Sequence, residues 1–382
     1  MKLRRLHQLD SVRGLASLSV LLHHLWLSAP LLPLLFVYSP VRIALGGHQA
    51  VLFFFILSGF VLALPFLADQ GPSYLSYLLK RVCRIYIPYV ISLTVALLLA
   101  YRLSGHSPAF NGSFFQAFWQ SGFAPGLILE HLSLVADFNT YAYNTVFWSL
   151  VHEMRISLIF PLLMLTVARR RIGFNLLLCL VLAFLGSLGD LLPLGTGQGY
   201  HTSYSDTVYF ASFFIIGALA AKHRSLLIAL YLGVTTRTRW LAFGAAVLLY
   251  GYSKYGADKL GGPAGRLLED GGTTLAILVF LVMALTSEKT IRVLNGSVLS
   301  FLGRISYSLY LYHFILILTL AYALREPLPG PLYALIAVLG SIALAAAAYY
   351  TIEIPSIRLG RMVGRRLTRA EGGETPPLRR AG

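Results

Sequence analysis

Ten stretches of about 20 predominantly apolar residues recur along this chain of 382 residues, and they constrain its fold more than any other feature. A helix needs roughly 20 such residues to cross the hydrocarbon core of a bilayer, and in lipid only helices and closed barrels satisfy their own backbone. The stretches lie near 9–28, 48–67, 84–103, 145–168, 172–191, 206–222, 240–256, 271–287, 299–323 and 331–352. The expected fold is all-α: a polytopic integral membrane helical bundle of about ten transmembrane helices. Composition points the same way. The chain is 57% hydrophobic and 12% charged, where soluble domains are about a quarter charged. The apolar stretch 225–234 is too short to cross and is placed at the interface. Segment 113–136 carries Phe114, Phe115, Phe118 and Trp119, but Gly122, Pro125 and Gly126 interrupt it. It reads as an outer re-entrant or interfacial piece.

Charge orients the spans. With the N-terminus inside, 22 of the 31 lysines and arginines fall in cytoplasmic segments and six in external ones. The external ones are Arg42, Arg102, Lys254, Lys259, Arg266 and Arg325. That asymmetry is what the positive-inside rule asks for, with both termini cytoplasmic. The formal net charge of +16 therefore reports topology and anionic lipid rather than nucleic acid. The basic start, Met1 to Arg5, leads into a helix bearing Asp10, Arg13, His23 and His24, which a disposable leader would not carry. Cys83 and Cys179 are far apart and match no zinc or redox spacing, so neither a disulfide framework nor a metal is expected. Residues 1–357 are read as one transmembrane domain, and 358–382 as a basic cytoplasmic tail, disordered from its Arg, Gly and Pro content.

Ionisable side chains inside a span are costly and mark function by default. In the first span Arg13 and His24 are eleven residues apart, about three turns, so they share a face. Asp10 is one turn from Arg13, close enough to pair with it. The plainer reading is a packing histidine and a snorkelling arginine. The fourth span, FWSLVHEMRISLIFP, runs inward and puts Glu153 near the depth of His24, with Ser149 one turn above it. A structural ion pair between helices is the alternative there. The ninth span, GRISYSLYLYHF, brings His313 to the same depth and leaves Arg304 at the cytoplasmic mouth. The tenth ends in TIEIP and returns Glu353 to that side, where pairing with Arg304 is expected. In KRVCRIYIPY, Arg81 and Arg84 share one face. Two layers result: His24, Glu153 and His313 at mid-depth, and Arg13, Arg81, Arg84 and Arg304 at the cytoplasmic rim. Arginine forks suit phosphates, although an ordinary positive flank explains some of them. A donor with phosphates at one end and a reactive end on a long arm fits the two layers, and acyl-CoA has that shape.

These residues resemble the acyltransferase family 3 membrane proteins, which O-acylate sugars, polysaccharides and other envelope molecules. The resemblance runs through five elements in order. LDSVRGLASLSVLLHH is similar to the family's LDGLRGLAAL start with its R-x10-H motif, which falls on Arg13 and His24. AVLFFFILSGF is similar to GVDLFFVLSGF and gives Ser58 and Gly59, with Leu52 where the family has an acidic residue and Ala50 where it has glycine. RVCRIYIPY resembles R-x-x-R-I-Y-P, with Ile87 before Pro88. FWSLVHEMRISLIFP is similar to FWSLxxExxFYLxxP, giving Trp148, Ser149 and Glu153. ISYSLYLYH and IEIP resemble the family's ending, giving His313 and Glu353. The resemblance implies a catalytic His24, arginines serving the acyl-CoA, and transfer completed within the membrane domain, as in members without a fused SGNH hydrolase-type domain.

The expected activity is O-acyl transfer, acetyl above all, from cytoplasmic acyl-CoA to an acceptor hydroxyl of a carbohydrate or lipid-linked glycan, in a bacterial-type inner membrane. His24 deprotonates the hydroxyl or briefly carries the acyl group, and Glu153 orients the imidazole. A proton-coupled transporter or flippase is the rival, since intramembrane His and Glu also build proton relays. A non-catalytic scaffold or sensor is the third reading. Tyr141, Tyr143, Tyr200 and Tyr204 in the outer loops suit sugar stacking, or are ordinary interfacial tyrosines.

Overall fold

In the computed structural model, residues 6–29, 39–68, 71–103, 105–109, 112–121, 123–190, 202–324 and 326–371 are described. Lys2, Arg4, Arg5, Gly122, Tyr200, Arg325 and the end of the tail lie outside them. The described chain is all-helical, without a strand. The helices are α1 His7–Ser28, α2 Gly47–Phe66, α3 Tyr74–Leu103, α4 Pro125–Ser133, α5 Phe147–Arg169, α6 Ile172–Ser187, α7 Tyr204–Lys222, α8 Arg224–Gly233, α9 Thr236–Leu260, α10 Gly262–Thr286, α11 Glu288–Leu294, α12 Ser297–Ala323, α13 Gly330–Ala348 and α14 Ile354–Glu371. A π turn, Tyr349–Glu353, joins the last two.

Each of the expected spans lies on a helix, but the described residues contain 7 helices long and apolar enough to cross a membrane. These are α2, α3, α5, α7, α10, α12 and the continuous stretch Gly330–Leu367. The other three expected spans fall short for different reasons. α6 has 16 residues. α1 and α9 are long enough, but polar side chains such as Asp10, Arg13, Lys254 and Asp258 interrupt them. The outer surface is apolar on many of these helices: Leu176, Leu177, Leu180 and Phe184 of α6 are exposed, as are Ile159, Leu162 and Leu165 of α5 and Leu332, Leu335 and Leu339 of α13. Such continuous apolar faces are stable against lipid and not against water. The chain is a multi-pass membrane protein.

Small residues set two close crossings. A Cβ on Gly14 of α1 would come within 2.6 Å of the Gly303 backbone nitrogen on α12, and a Cβ on Gly303 would strike the Asp10 backbone in return. Likewise Gly59 of α2 and Gly217 of α7 each leave room only for the other helix's backbone. Close backbone approach of this kind is how helices associate where no water drives them together.

Two stretches depart from expectation. The helix α3 begins at Tyr74, ten residues before its apolar run, so Lys80, Arg81 and Arg84 lie within its regular turns. The tail does not lose structure at Gly360, because α14 continues to Glu371 and packs along α3. Gly360 and Gly364 make that possible: they face Cys83 and Lys80, and Ser76 Oγ donates to the Gly364 carbonyl at 3.4 Å. Segment 113–136 holds only a single helical turn, Gly112–Phe115, and the nine-residue α4. Neither is long enough to cross, and Phe115, Phe118 and Trp119 are buried against the bundle.

Candidate functional site

The α1–α12 pair builds the site. The Gly14–Gly303 crossing fixes its register, and Ser17 Oγ donates to the Ser306 carbonyl at 2.8 Å, an offset of 289 residues. The same offset of 289 joins His24 to His313, whose Nδ1 and Nε2 are 2.9 Å apart. A constant offset means the two helices run parallel and in step from the crossing to the histidines, about 15 Å further on. The rings meet edge to edge along this bond, with centroids 5.1 Å apart and planes 25° from parallel.

Hydrogen-bond chemistry fixes the protons of the neutral pair. His313 Nδ1 lies 2.9 Å from the Leu309 carbonyl, which only accepts, so Nδ1 carries the proton. His313 Nε2 then accepts from His24 Nδ1–H. The lone pair of the couple is left on His24 Nε2, which makes no hydrogen bond among the described residues. His24 lines a cavity of about 180 Å³ together with Val51, Phe114, Phe118, Trp148 and Tyr310. His23 lines it too, with Nδ1 held by the Leu45 carbonyl at 2.9 Å.

A second, narrower cavity adjoins the first through Val51 and Tyr310, which line both. Arg13, Ser58, Ser149, Glu153, Ser306 and Tyr307 line it. Tyr310 Oη and Ser149 Oγ are 2.6 Å apart, and both reach the Val146 carbonyl, so the shared tyrosine is pinned between the cavities. Arg81 donates to Glu153 at 2.7 Å and to Ser157 Oγ at 3.0 Å. Arg84 lies among Arg13 and Arg81 and faces Glu353 and Glu153. Glu353 is buried and accepts from Ser308 Oγ at 2.7 Å. Among these described residues, three guanidinium groups thus meet two carboxylates.

Most of the residues singled out in the sequence converge here: His24, His313 and Trp148 at the first cavity, and Arg13, Arg81, Arg84, Ser58, Ser149, Glu153 and Glu353 at or beside the second. Three expectations fail. Glu153 is bonded to Arg81, and the group that holds His24 is His313. Glu353 faces Arg84 and Arg13 instead of Arg304. Arg304 is exposed, with its guanidinium 5.8 Å from the Phe301 ring centroid, because its position on α12 points away from the pair. Asp10 is half-buried and lies beside Gly303. Arg155 serves structure: it donates to the carbonyls of Val135 at 2.8 Å and Thr202 at 2.8 Å, tying α5 to the loops. Of the outer tyrosines, Tyr141 lines the His24 cavity, Tyr143 is buried with its carbonyl taken by Trp119, and Tyr204 is exposed over Arg155.

Sequence reasoning missed Tyr310, Phe114, Phe118 and His48. The last lines the His24 cavity at the start of α2, and its Nε2 bonds Asp270 Oδ1 at 2.7 Å. Tyr209 donates to the other oxygen of Asp270 at 2.7 Å. The GGHQ sequence directly before an apolar span was the available signal, as a polar residue at a membrane entry. Among the described residues, no cluster of three or more His, Cys, Asp or Glu is placed to hold a metal ion.

Searches of curated proteins and of solved structures returned no significant match. The family comparison did: a family model described as an acyltransferase domain matches residues 6–350. A parallel histidine pair beside an arginine-rimmed cavity thus sits within a match covering nearly the whole chain, which belongs to the acyltransferase 3 family.

Proposed function

We propose that this membrane acyltransferase moves an acyl group, acetyl above all, from cytoplasmic acyl-CoA to a hydroxyl of a sugar, polysaccharide or other envelope molecule. About ten helices cross a bacterial-type inner membrane in this reading, with both termini cytoplasmic. The observation that carries it is the pair of joined cavities: an imidazole with a free lone pair in one, and Arg13 in the other with Arg81 and Arg84 close beside it.

The donor's phosphates bind at the rim around Arg13 and Arg84, where guanidinium forks match phosphate oxygens. Its arm passes Tyr310 and brings the thioester beside His24. His24 Nε2 takes the proton of the acceptor hydroxyl as its oxygen attacks the thioester carbonyl carbon. The carbon–sulfur bond breaks, and the leaving thiolate takes the proton back from Nε2. Nδ1 keeps its proton throughout, donated to His313. His313 stands where a triad has its carboxylate, and orients the ring without adding charge. Glu153 holds Arg81 in place and acts on the donor side. A proton relay for transport would need the histidines but not the arginines, which favours the transferase over the flippase.

The test is mass spectrometry of envelope glycans and lipids from cells that carry the wild-type chain, the His24→Ala chain, or neither. The expected result is a mass increment of about one acyl group in the first alone, since general-base removal costs about 10²–10⁴-fold. A His24→Ala chain that inserts normally and still produces the increment would falsify the assignment.

A further inference from the structure

The cavities fall in a row along α2. Gly47, His48 and Val51 line the His24 cavity, and Val51, Phe54 and Ser58 line the arginine cavity. A third cavity, of about 370 Å³, lies at the opposite end of the row, between the end of α9 and the start of α10. His48, Lys254, Asp258, Arg266, Glu269 and Asp270 line it, and His48 is the residue it shares with the His24 cavity. The imidazole is fixed at that boundary by the chain His48–Asp270–Tyr209.

Its polar groups fall into two sets. Asp270 is buried and committed to His48 and Tyr209, and Arg266 is committed to Asp206 at 2.6 Å while its guanidinium covers the Tyr209 ring at 3.9 Å. These build the wall. Lys254 and Asp258 are exposed and make no hydrogen bond or ion pair among the described residues. Among the described residues Glu269 accepts from Gln49 alone, at 3.3 Å. These three are available to a ligand. Their balance is one ammonium against two carboxylates, the reverse of the arginine end. A polyphosphate gains nothing here, since like charge at close range repels. Carboxylates and an ammonium across one cavity match the alternating donors and acceptors of a molecule with many hydroxyl groups.

We propose that this third cavity binds the acceptor, that the acceptor is an uncharged polyhydroxylated molecule, and that one of its hydroxyls passes His48 to reach His24 Nε2. The proposal rests on the acyl-transfer reading. It makes α2 the rail of the reaction, with the donor entering at Ser58 and the acceptor at His48, about 15 Å apart by helical rise.

Reversible plugging tests it. Asp258→Cys is made in a Cys83→Ala, Cys179→Ala chain, in cells fed labelled acetate. The membrane-impermeant anionic reagent 2-sulfonatoethyl methanethiosulfonate is added outside, followed by dithiothreitol. The expected result is modification from outside, at least a tenfold loss of the label that mild alkali releases from the envelope fraction as free acetate, and recovery after reduction. Acetyl-CoA binding by the modified, purified chain stays within twofold of the unmodified value. As a second route, the Asp258→Asn, Glu269→Gln chain gives the same loss without reagent and keeps acetyl-CoA binding. Labelling that stays within twofold after complete modification, or a thiol that the outside reagent does not reach, overturns the acceptor cavity and leaves the donor side standing. A wild-type chain that binds no acetyl-CoA overturns the acyl-transfer reading and this proposal together.

Discussion

The two cavities that meet at Tyr310 solve opposite problems with the same materials. Around His24 no lysine, arginine or carboxylate lines the space: His23, His24, His48, Phe114, Phe118 and Trp148 enclose it, and His24 is held through His313 to the Leu309 carbonyl by one chain of hydrogen bonds. Around Arg13 charge is dense, with Arg81, Arg84, Glu153 and Glu353 close together. The first environment suits a base, because His313 takes the Nδ1–H of His24 and leaves the Nε2 lone pair facing the cavity. The second suits a ligand that brings negative charge of its own, because guanidinium forks outnumber the carboxylates named beside them. The two environments are thus separated by two side chains, Val51 and Tyr310.

Substitutions that split or merge the two roles come in a clear order of size. His24→Ala has the largest effect: transfer by the purified chain falls about 1000-fold, while acetyl-CoA binding by calorimetry stays within twofold. Loss of both together would show that the cavities are one site. Arg84→Gln follows, with a rise in the acetyl-CoA dissociation constant of about 10- to 100-fold from one lost charge-assisted bond, and little change in rate at saturating donor. A rate loss at saturation would move Arg84 to the chemistry side. His313→Gln should cost about tenfold in rate with unchanged donor affinity, since an amide oxygen still accepts from His24 Nδ1–H but fixes the ring less well. A loss as deep as that of His24→Ala would make His313 a proton carrier in its own right. Arg304→Gln should change rate and donor affinity by less than twofold, because exposed charges contribute little. A larger effect would return Arg304 to the donor site.

The helices were largely legible in the chain, for reasons that bear on the site. Apolar runs of bilayer length leave few alternatives, and the residues that interrupt them stand out because each is costly. His24, Arg13, Glu153 and His313 were visible for that reason. What they touch was not. Glu153 and His24 were expected at one depth, but the Ser149–Tyr310 contact sets Glu153 one turn inward of Tyr310, among the arginines, and His313 about one turn outward, while the Gly14–Gly303 crossing turns α1 toward α12. Arg304 and Glu353 share a rim yet face different neighbours, because depth says nothing of azimuth. Tyr310 and Phe118 were hidden among ordinary aromatic residues of membrane helices. The helix α14 was hidden by composition, since a basic stretch reads as solvated until glycines at 360 and 364 are seen to fit the side of α3.

The offset of 289 residues between the paired histidines also has a consequence in time. A ribosome adds about 5–20 residues each second, so roughly 15–60 s separate the emergence of His24 from that of His313. Through that interval α1 is in the membrane with Gly14 uncovered and His24 lacking its acceptor. A chain stopped anywhere before α12 thus has Arg13 and His24 on α1 and Arg81 and Arg84 on α3, but not the His313 that holds the imidazole. Activity arrives at once, near the end of synthesis, when the second-to-last long helix slides in beside the first.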